Sequence, residues 1–252
     1  MNPPVVTVIT VCRNAMDGLL RTEASIRSQA NASLEWIIVD GDSSDGTQTH
    51  LKSLEEPWIK WISEPDQGIY DAMNKGIRMA GGKWLWFLNA GDVFHDASTV
   101  AQVIQAPEDT EICFGEVLIE QDGGSIGTRS EATPHKLPQA LEKRQFRHGM
   151  VVSHQAFIVR RDLAPFYDSE RFQFSADLDW MLQVLTTNRQ SYRLGTVACV
   201  PRAGATQQNW RKSQWERFNV LRKHFGTIST ILSHAYIILR RTKYLLTKGR
   251  LR

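Results

Sequence analysis

A single α/β domain with a mostly parallel sheet flanked by helices is what the amino-acid sequence predicts, on three observations. Over about the first hundred residues, short apolar runs alternate with segments of helical period, the pattern of βαβ units. Of 252 residues 42% are apolar, enough to bury one sizeable core but too few for two. No run of about eighteen clean apolar residues occurs, so no helix is expected to cross a membrane.

The elements follow in order. Val5–Val11 is a β-branched run and reads as the first strand, followed by helical spacing over Leu19–Ser28. Glu35–Val39 is the second strand, Thr47–Leu54 the second helix and Trp58–Ile62 the third strand. Ile69, Met73, Ile77 and Ala80 recur at helical spacing until Gly81-Gly82 stops them, and Trp84–Leu88 is the fourth strand. Beyond Asp92 the pattern loosens. Thr99–Gln105 reads as a helix, Glu111–Glu120 as a strand, Gln121–Gly127 as a glycine-rich turn, and Ser130–Gly149 as a loop with a short helix. A strand over Val151–Val159, a helix beginning near Asp177 and a strand over Tyr192–Val200 complete the domain.

Composition excludes several classes. A formal net charge of +3 gives no reason to expect nucleic acid as a partner. Cys12, Cys113 and Cys199 stand roughly ninety residues apart, which is neither a zinc spacing nor a disulfide framework. They read as reduced core residues of a cytosolic protein. Met1–Pro4 carry no basic charge, and the apolar run that follows is too short and too β-branched for a signal peptide.

In an open parallel sheet, ligands bind outside the carboxyl ends of the strands. Asp40 ends the second strand and Asp92 follows the fourth, so both carboxylates are expected on that rim. Capping of the next helix or turn is the alternative role for each. The turn after the first strand, Cys12 to Gly18, lacks the G-x-G-x-x-G spacing of a dinucleotide fold, and no G-x-x-x-x-G-K-[ST] loop is present.

Six segments carry a resemblance. Val8–Asn14 (VITVCRN), Trp36–Thr47 (WIIVDGDSSDGT), Ser63–Ile77 (SEPDQGIYDAMNKGI), Phe87–Asp92 (FLNAGD), and Ser153–Phe157 (SHQAF) with Ser175–Asp177 (SAD) are similar, in this order, to glycosyltransferase family 2. Within it they most resemble bacterial exopolysaccharide enzymes of the colanic acid type, over roughly residues 5 to 210. The resemblance implies a GT-A fold, a Rossmann-like sheet that binds a UDP- or GDP-linked sugar and transfers the sugar to a saccharide hydroxyl with inversion. It implies Asp177 as the general base and Asp92 as the ligand of a Mg or Mn ion bridging the donor diphosphate, with Asn89 beside it. Asp40 is implied as an acceptor for the donor base. Lys75 either supplies a cation to the donor, in place of the arginine that relatives carry at the position of Met73, or is a solvated surface residue. His154 and Gln155 are implied as acceptor or pyrophosphate contacts, although a histidine in an apolar strand is ordinarily a satisfied core group. Asp179, in the same helix, is a second candidate for the base, although relatives do not always carry an acid there. Asp45 resembles a helix-opening acid and reads as a cap, and Gly204–Thr206 resembles a loop that folds over the donor.

The domain is expected over residues 1–216, a donor half to about 98 and an acceptor half from 99, followed by a basic tail over 217–252. From Arg217 onward there are nine Lys or Arg and no acid, with Ile228, Ile231, Leu232, Ala235, Ile238 and Leu239 near helical spacing. Such a segment suits the interface of an anionic bilayer, which implies a peripheral enzyme on the cytoplasmic face of the inner membrane with a lipid-linked acceptor. The alternative is that the apolar face packs on the domain and leaves the basic face in solvent. A catalytically idle domain that binds a nucleotide sugar or glycan in a polysaccharide assembly complex is the competing function, because Asn89-Ala-Gly-Asp92 carries only one acid.

Overall fold

The structure, a computed structural model, describes residues 4–29, 33–121, 123–133, 135–186, 189–202 and 209–248. Its first half is a parallel sheet. β1 (Val6–Cys12) is buried along its whole length, as a strand covered on both faces requires. It pairs in parallel with β2 (Leu34–Asp40) on one side and β4 (Trp84–Phe87) on the other, and β2 pairs with β3 (Ile59–Ser63). The register sets Cys12 opposite Asp40, and Asp40 opposite Ser63, so the carboxyl ends of these strands form one rim. Helices α1 (Met16–Arg27), α2 (Thr47–Leu51) and α3 (Ile69–Met79) make the crossovers.

The second half extends the same sheet with reversed strands. β5 (Val93–Phe94) and α4 (Thr99–Ile104) precede β6 (Ile112–Gln121), β7 (Gly124–Thr128) and the short α5 (Arg129–Ala132). β8 (Phe157–Arg160), α6 (Ala176–Val184), β9 (Ser191–Pro201), α7 (Trp210–Phe225) and α8 (Thr227–Lys248) follow. The strand order is β3-β2-β1-β4-β8-β6-β9-β5, with β7 added to β6. β8 runs antiparallel to both β4 and β6, whereas β6 and β9 are parallel. The three cysteines are buried and free.

Two expectations require correction. Of the segment Val151–Val159 only the last three residues are strand, in an element that runs Phe157–Arg160. The polar triplet Ser153-His154-Gln155 turns the chain into a single 3-10 turn, and the carbonyl of Gln155 accepts Trp86 Nε1–H (2.8 Å) instead of joining a ladder. Likewise the glycine-rich Gln121–Gly127 is not all turn, because Gly124–Thr128 folds back on β6 as a hairpin strand.

The boundary expected after residue 216 falls inside α7, whose Val220 and Leu221 are fully buried. Asp179 of α6, with no exposed surface, accepts hydrogen bonds from His224 Nε2 (2.7 Å) and Lys223 Nζ (3.0 Å) of α7 and from Gln183 Nε2 (2.7 Å). Burial pushes its carboxyl up, but the bonds from His224 and Lys223 outweigh that and hold it below the usual carboxylate range. Asp179 is therefore a structural anchor and not a second base. Asp179→Asn should destabilise the protein by about 3 kcal/mol at pH 7, since it leaves the Lys223 cation facing a neutral amide and breaks a buried hydrogen-bond network. A depressed pKa stabilises above the unfolded value near 4 and loses that contribution as pH falls through the folded value. The stability gap between wild type and variant, read by urea titration, should therefore be constant above about pH 5 and shrink below about pH 4.

Candidate active site

Past the end of β4, the chain turns through Asn89-Ala90-Gly91 into Asp92. Gly91 has φ +99°, a conformation that side chains disfavour. The turn is tied to α1 by the buried Thr22, whose hydroxyl donates to the Asp92 carbonyl (2.8 Å) and accepts Gly91 N–H (2.9 Å). Asp92 Oδ2 accepts Asn89 N–H (3.1 Å) and Gln155 Nε2 (3.2 Å). Burial raises this carboxyl to about 7, with the Gln155 and Asn89 bonds pulling the other way. Gln155 is itself braced by Ser153 Oγ, which donates to its Oε1 (2.5 Å).

The amide of Asn89 lies 3.5 Å from His154 Nε2, while Asn89 Oδ1 is buried with no partner among the described residues. Burial lowers the pKa of His154, partly opposed by the charge of Asp177, which keeps the imidazole neutral at pH 7. Asp177 occupies the first turn of α6, where Oδ1 accepts Leu178 N–H (2.8 Å) and the Tyr70 hydroxyl (3.3 Å) reaching across from α3. Behind Tyr70, rings stack in sequence: Tyr70 on Tyr167 (5.4 Å) and Tyr167 on Trp180 (5.1 Å). Asn74 locks this arrangement by exchanging two hydrogen bonds with the backbone of Tyr167 (2.9 and 2.7 Å).

The approach to Asp177 is held from α7. Glu216 accepts the backbone N–H groups of Gln173 (3.1 Å), Phe174 (2.7 Å) and Ser175 (3.1 Å), so one carboxylate fixes the loop that launches α6. Between that loop and the start of α3 lies a cleft of about 230 Å³, lined by residues including Gln67, Tyr70, Asp71, Ser169 and Gln173.

Of the residues singled out in the sequence, Asn89, Asp92, His154, Gln155 and Asp177 thus come together. Asp40 and Lys75 do not. Asp40 is fully buried, with both oxygens taken: Ser43 Oγ and Cys12 Sγ (3.7 Å) donate to Oδ1, and Ser43 N (3.1 Å) and Ser63 Oγ (2.7 Å) donate to Oδ2. It shapes the rim instead of facing it. Lys75 bonds the Pro65 carbonyl (2.8 Å) and pairs with Glu64 (2.9 Å), so its charge secures the loop before α3. Met73 is a core residue at 1% exposure. Asp45 accepts Thr47 Oγ1 (2.6 Å), Thr47 N–H (3.2 Å) and Met16 N–H (2.9 Å), tying the starts of α1 and α2. Gly204–Thr206 lies outside the described residues.

Sequence reasoning passed over Asp66 and Arg13. A Cβ at Gly41 would run into Asp66 Oδ2 and lie 3.3 Å from Arg13 Cδ, so the bare glycine after β2 lets both side chains approach the rim closely. The signal was the glycine directly after Asp40, beside an acid just past the third strand.

The donor set suits a hard divalent cation. Asp92 bonds Gln155 and Asn89 through one oxygen, which leaves the other edge of the carboxylate, and the orphaned Asn89 Oδ1 adds a second oxygen. Among the described residues no three His, Cys, Asp or Glu side chains gather to form a cage. Magnesium and manganese keep waters and substrate phosphates as ligands, so one or two protein oxygens suffice.

Comparison with known proteins adds the following. The family model described as "Glycosyl transferase family 2" matches residues 7–165. An uncharacterized glycosyltransferase of Mycobacterium tuberculosis is 45% identical over 104 residues, 41% of this chain and only 40% of that protein. A PGL/p-HBAD biosynthesis glycosyltransferase of Mycobacterium bovis is 30% identical over 187 residues, covering 71% of this chain and 68% of the relative. Among solved structures, the mannosyltransferase PcManGT from Pyrobaculum calidifontis, in complex with GDP-Man and Mn2+, superposes with a TM-score of 0.60 at 15% identity, covering 99% of this chain and 80% of that one. At that identity the likeness bears on the fold alone, which is GT-A.

Proposed function

This chain belongs to glycosyl transferase family 2, and from that premise we propose that it transfers a hexosyl group from a UDP- or GDP-linked sugar to a saccharide hydroxyl in the synthesis of a bacterial surface or extracellular polysaccharide. The observation that carries the reading is the convergence of Asp177, Tyr70, His154, Asn89, Asp92 and Gln155 at the head of one sheet. An acceptor hydroxyl attacking the anomeric carbon must lose its proton, and Asp177 is the carboxylate that takes it. The new carbon–oxygen bond forms as the bond to the diphosphate breaks, and the electron pair leaves on the phosphate oxygen. A single displacement of this kind inverts the anomeric centre.

Asp92 and Asn89 would hold the divalent cation, which when bound stabilises negative charge on the departing diphosphate. Neutral His154 and Gln155 offer hydrogen bonds to the sugar or its phosphate without adding charge. At the other end of the rim, Asp66 and Arg13 flank the floor at Gly41 and suit the nucleoside, while Asp40 supports that floor from beneath. The acceptor is proposed to be lipid-linked and the enzyme to work at the cytoplasmic face of the membrane.

A thermal-shift panel of nucleotide sugars with and without manganese tests the reading. A ligand bound only by the folded state, present at about 100 times its Kd, stabilises by about 2.7 kcal/mol. A UDP- or GDP-sugar should raise the Tm by several degrees, more with manganese. If no nucleotide sugar shifts the Tm, the donor assignment fails. A stabilising donor that is never turned over in the presence of saccharide acceptors would instead identify an idle binding domain.

A further inference from the structure

Helix α8 turns small polar residues toward the domain. Among its described side chains the buried ones are Thr230 and Ser233, at 1% and 2% exposure. His234 meets the ring of Phe218 edge-on (5.1 Å), and Tyr236 packs against His148 (4.6 Å). Five branched side chains point out, Ile228, Ile231, Leu232, Ile238 and Leu239, which keep 55% to 78% of their surface, whereas Ile237 is half-buried. With the exposed Ala235 they recur at three- and four-residue spacing and make one continuous stripe. The alternative that the apolar face packs on the domain is therefore overturned. Trp215 of α7, 65% exposed, stacks on Phe218 (5.9 Å), the ring that meets His234 of α8.

We propose that this outward face, the stripe of α8 with Trp215, docks in the plane of an anionic phospholipid bilayer. Three observations select that occupant. The apolar stripe is far larger than scattered exposure would explain, and contiguous apolar patches mark interaction surfaces. From Arg217 to the end of the sequence there are nine Lys or Arg and no acid; Lys223 is paired with Asp179, and Arg222 beside it is exposed near the turn between α7 and α8. An anionic surface matches that charge, whereas a second copy of this chain would bring two acid-free basic helices together. The helix is 22 residues long, yet no helix among the described residues is long and apolar enough to cross a membrane, so α8 lies in the interface.

Docking also orients the site. Trp215 is followed in α7 by Glu216, whose carboxylate holds the loop that launches α6 and Asp177. The face that meets the lipid and the support of the proposed base are therefore neighbours on one helix.

The test uses the full chain and vesicles of phosphatidylcholine alone or with about 30% phosphatidylglycerol. Co-sedimentation should be strong with the anionic vesicles, weak with the neutral ones and reduced by salt. The triple variant Ile231→Ser, Ile238→Ser, Leu239→Ser changes only exposed positions. It should bind anionic vesicles at least tenfold more weakly while keeping the wild-type Tm and nucleotide-sugar binding, so docking can fail without the donor reading failing. Unchanged binding of that variant, or equal binding to neutral and anionic vesicles, overturns the proposal. So does a wild-type dimer in sedimentation velocity that the variant abolishes while vesicles bind neither protein.

Discussion

Asp177→Asn is expected to cut turnover by about 10²–10⁴-fold while leaving affinity for the donor nucleotide near wild type. The amide oxygen can still accept from Leu178 N–H and the Tyr70 hydroxyl, so the start of α6 and the aromatic stack behind it should remain intact. What is lost is the capacity to take a proton, a transition-state contribution that does not appear in ground-state binding of the donor. Calorimetry with the nucleotide diphosphate, beside turnover with a saccharide acceptor, separates the two. Near-normal turnover would remove Asp177 as base. Asp179 could not replace it, being enclosed by His224 and Lys223, and neutral His154 would become the remaining acceptor to examine.

Asp92→Ala should weaken binding of the nucleotide diphosphate in manganese by on the order of 10²-fold, and chelation of wild type should reproduce the loss. The same variant should be no less stable than wild type. A buried carboxyl whose folded pKa is raised to about 7 costs stability as pH climbs above the unfolded value near 4, and at pH 8 that cost is complete. Lost affinity with a retained Tm distinguishes a ligand-binding acid from a structural one. Equal affinity with manganese and with chelator would take the cation out of the mechanism.

Much of the first half was legible: β1, β2 and β4 are buried along nearly their whole length and so read as apolar runs, and these strands and the half-exposed edge strand β3 lie within a residue or two of their expected bounds. The second half was harder to read. Ser153-His154-Gln155 sits in an apolar context, and only the indole of Trp86, distant in sequence, shows why the chain turns there instead of pairing.

The sequence by itself determined the α/β class, the family, and the acids and amides that meet at the head of the sheet, since motif order and strand-end position are local properties. Only the tertiary structure decided which charges are free. Asp40 and Lys75 look like ligands in one dimension, but three hydroxyl or thiol donors and a loop carbonyl, respectively, absorb them. Asp179 is claimed by α7, and Glu216, unremarkable in sequence, becomes the anchor of the loop before Asp177. The direction faced by α8 was equally hidden, because an amphipathic period fixes the angle between two faces but not which of them meets the domain.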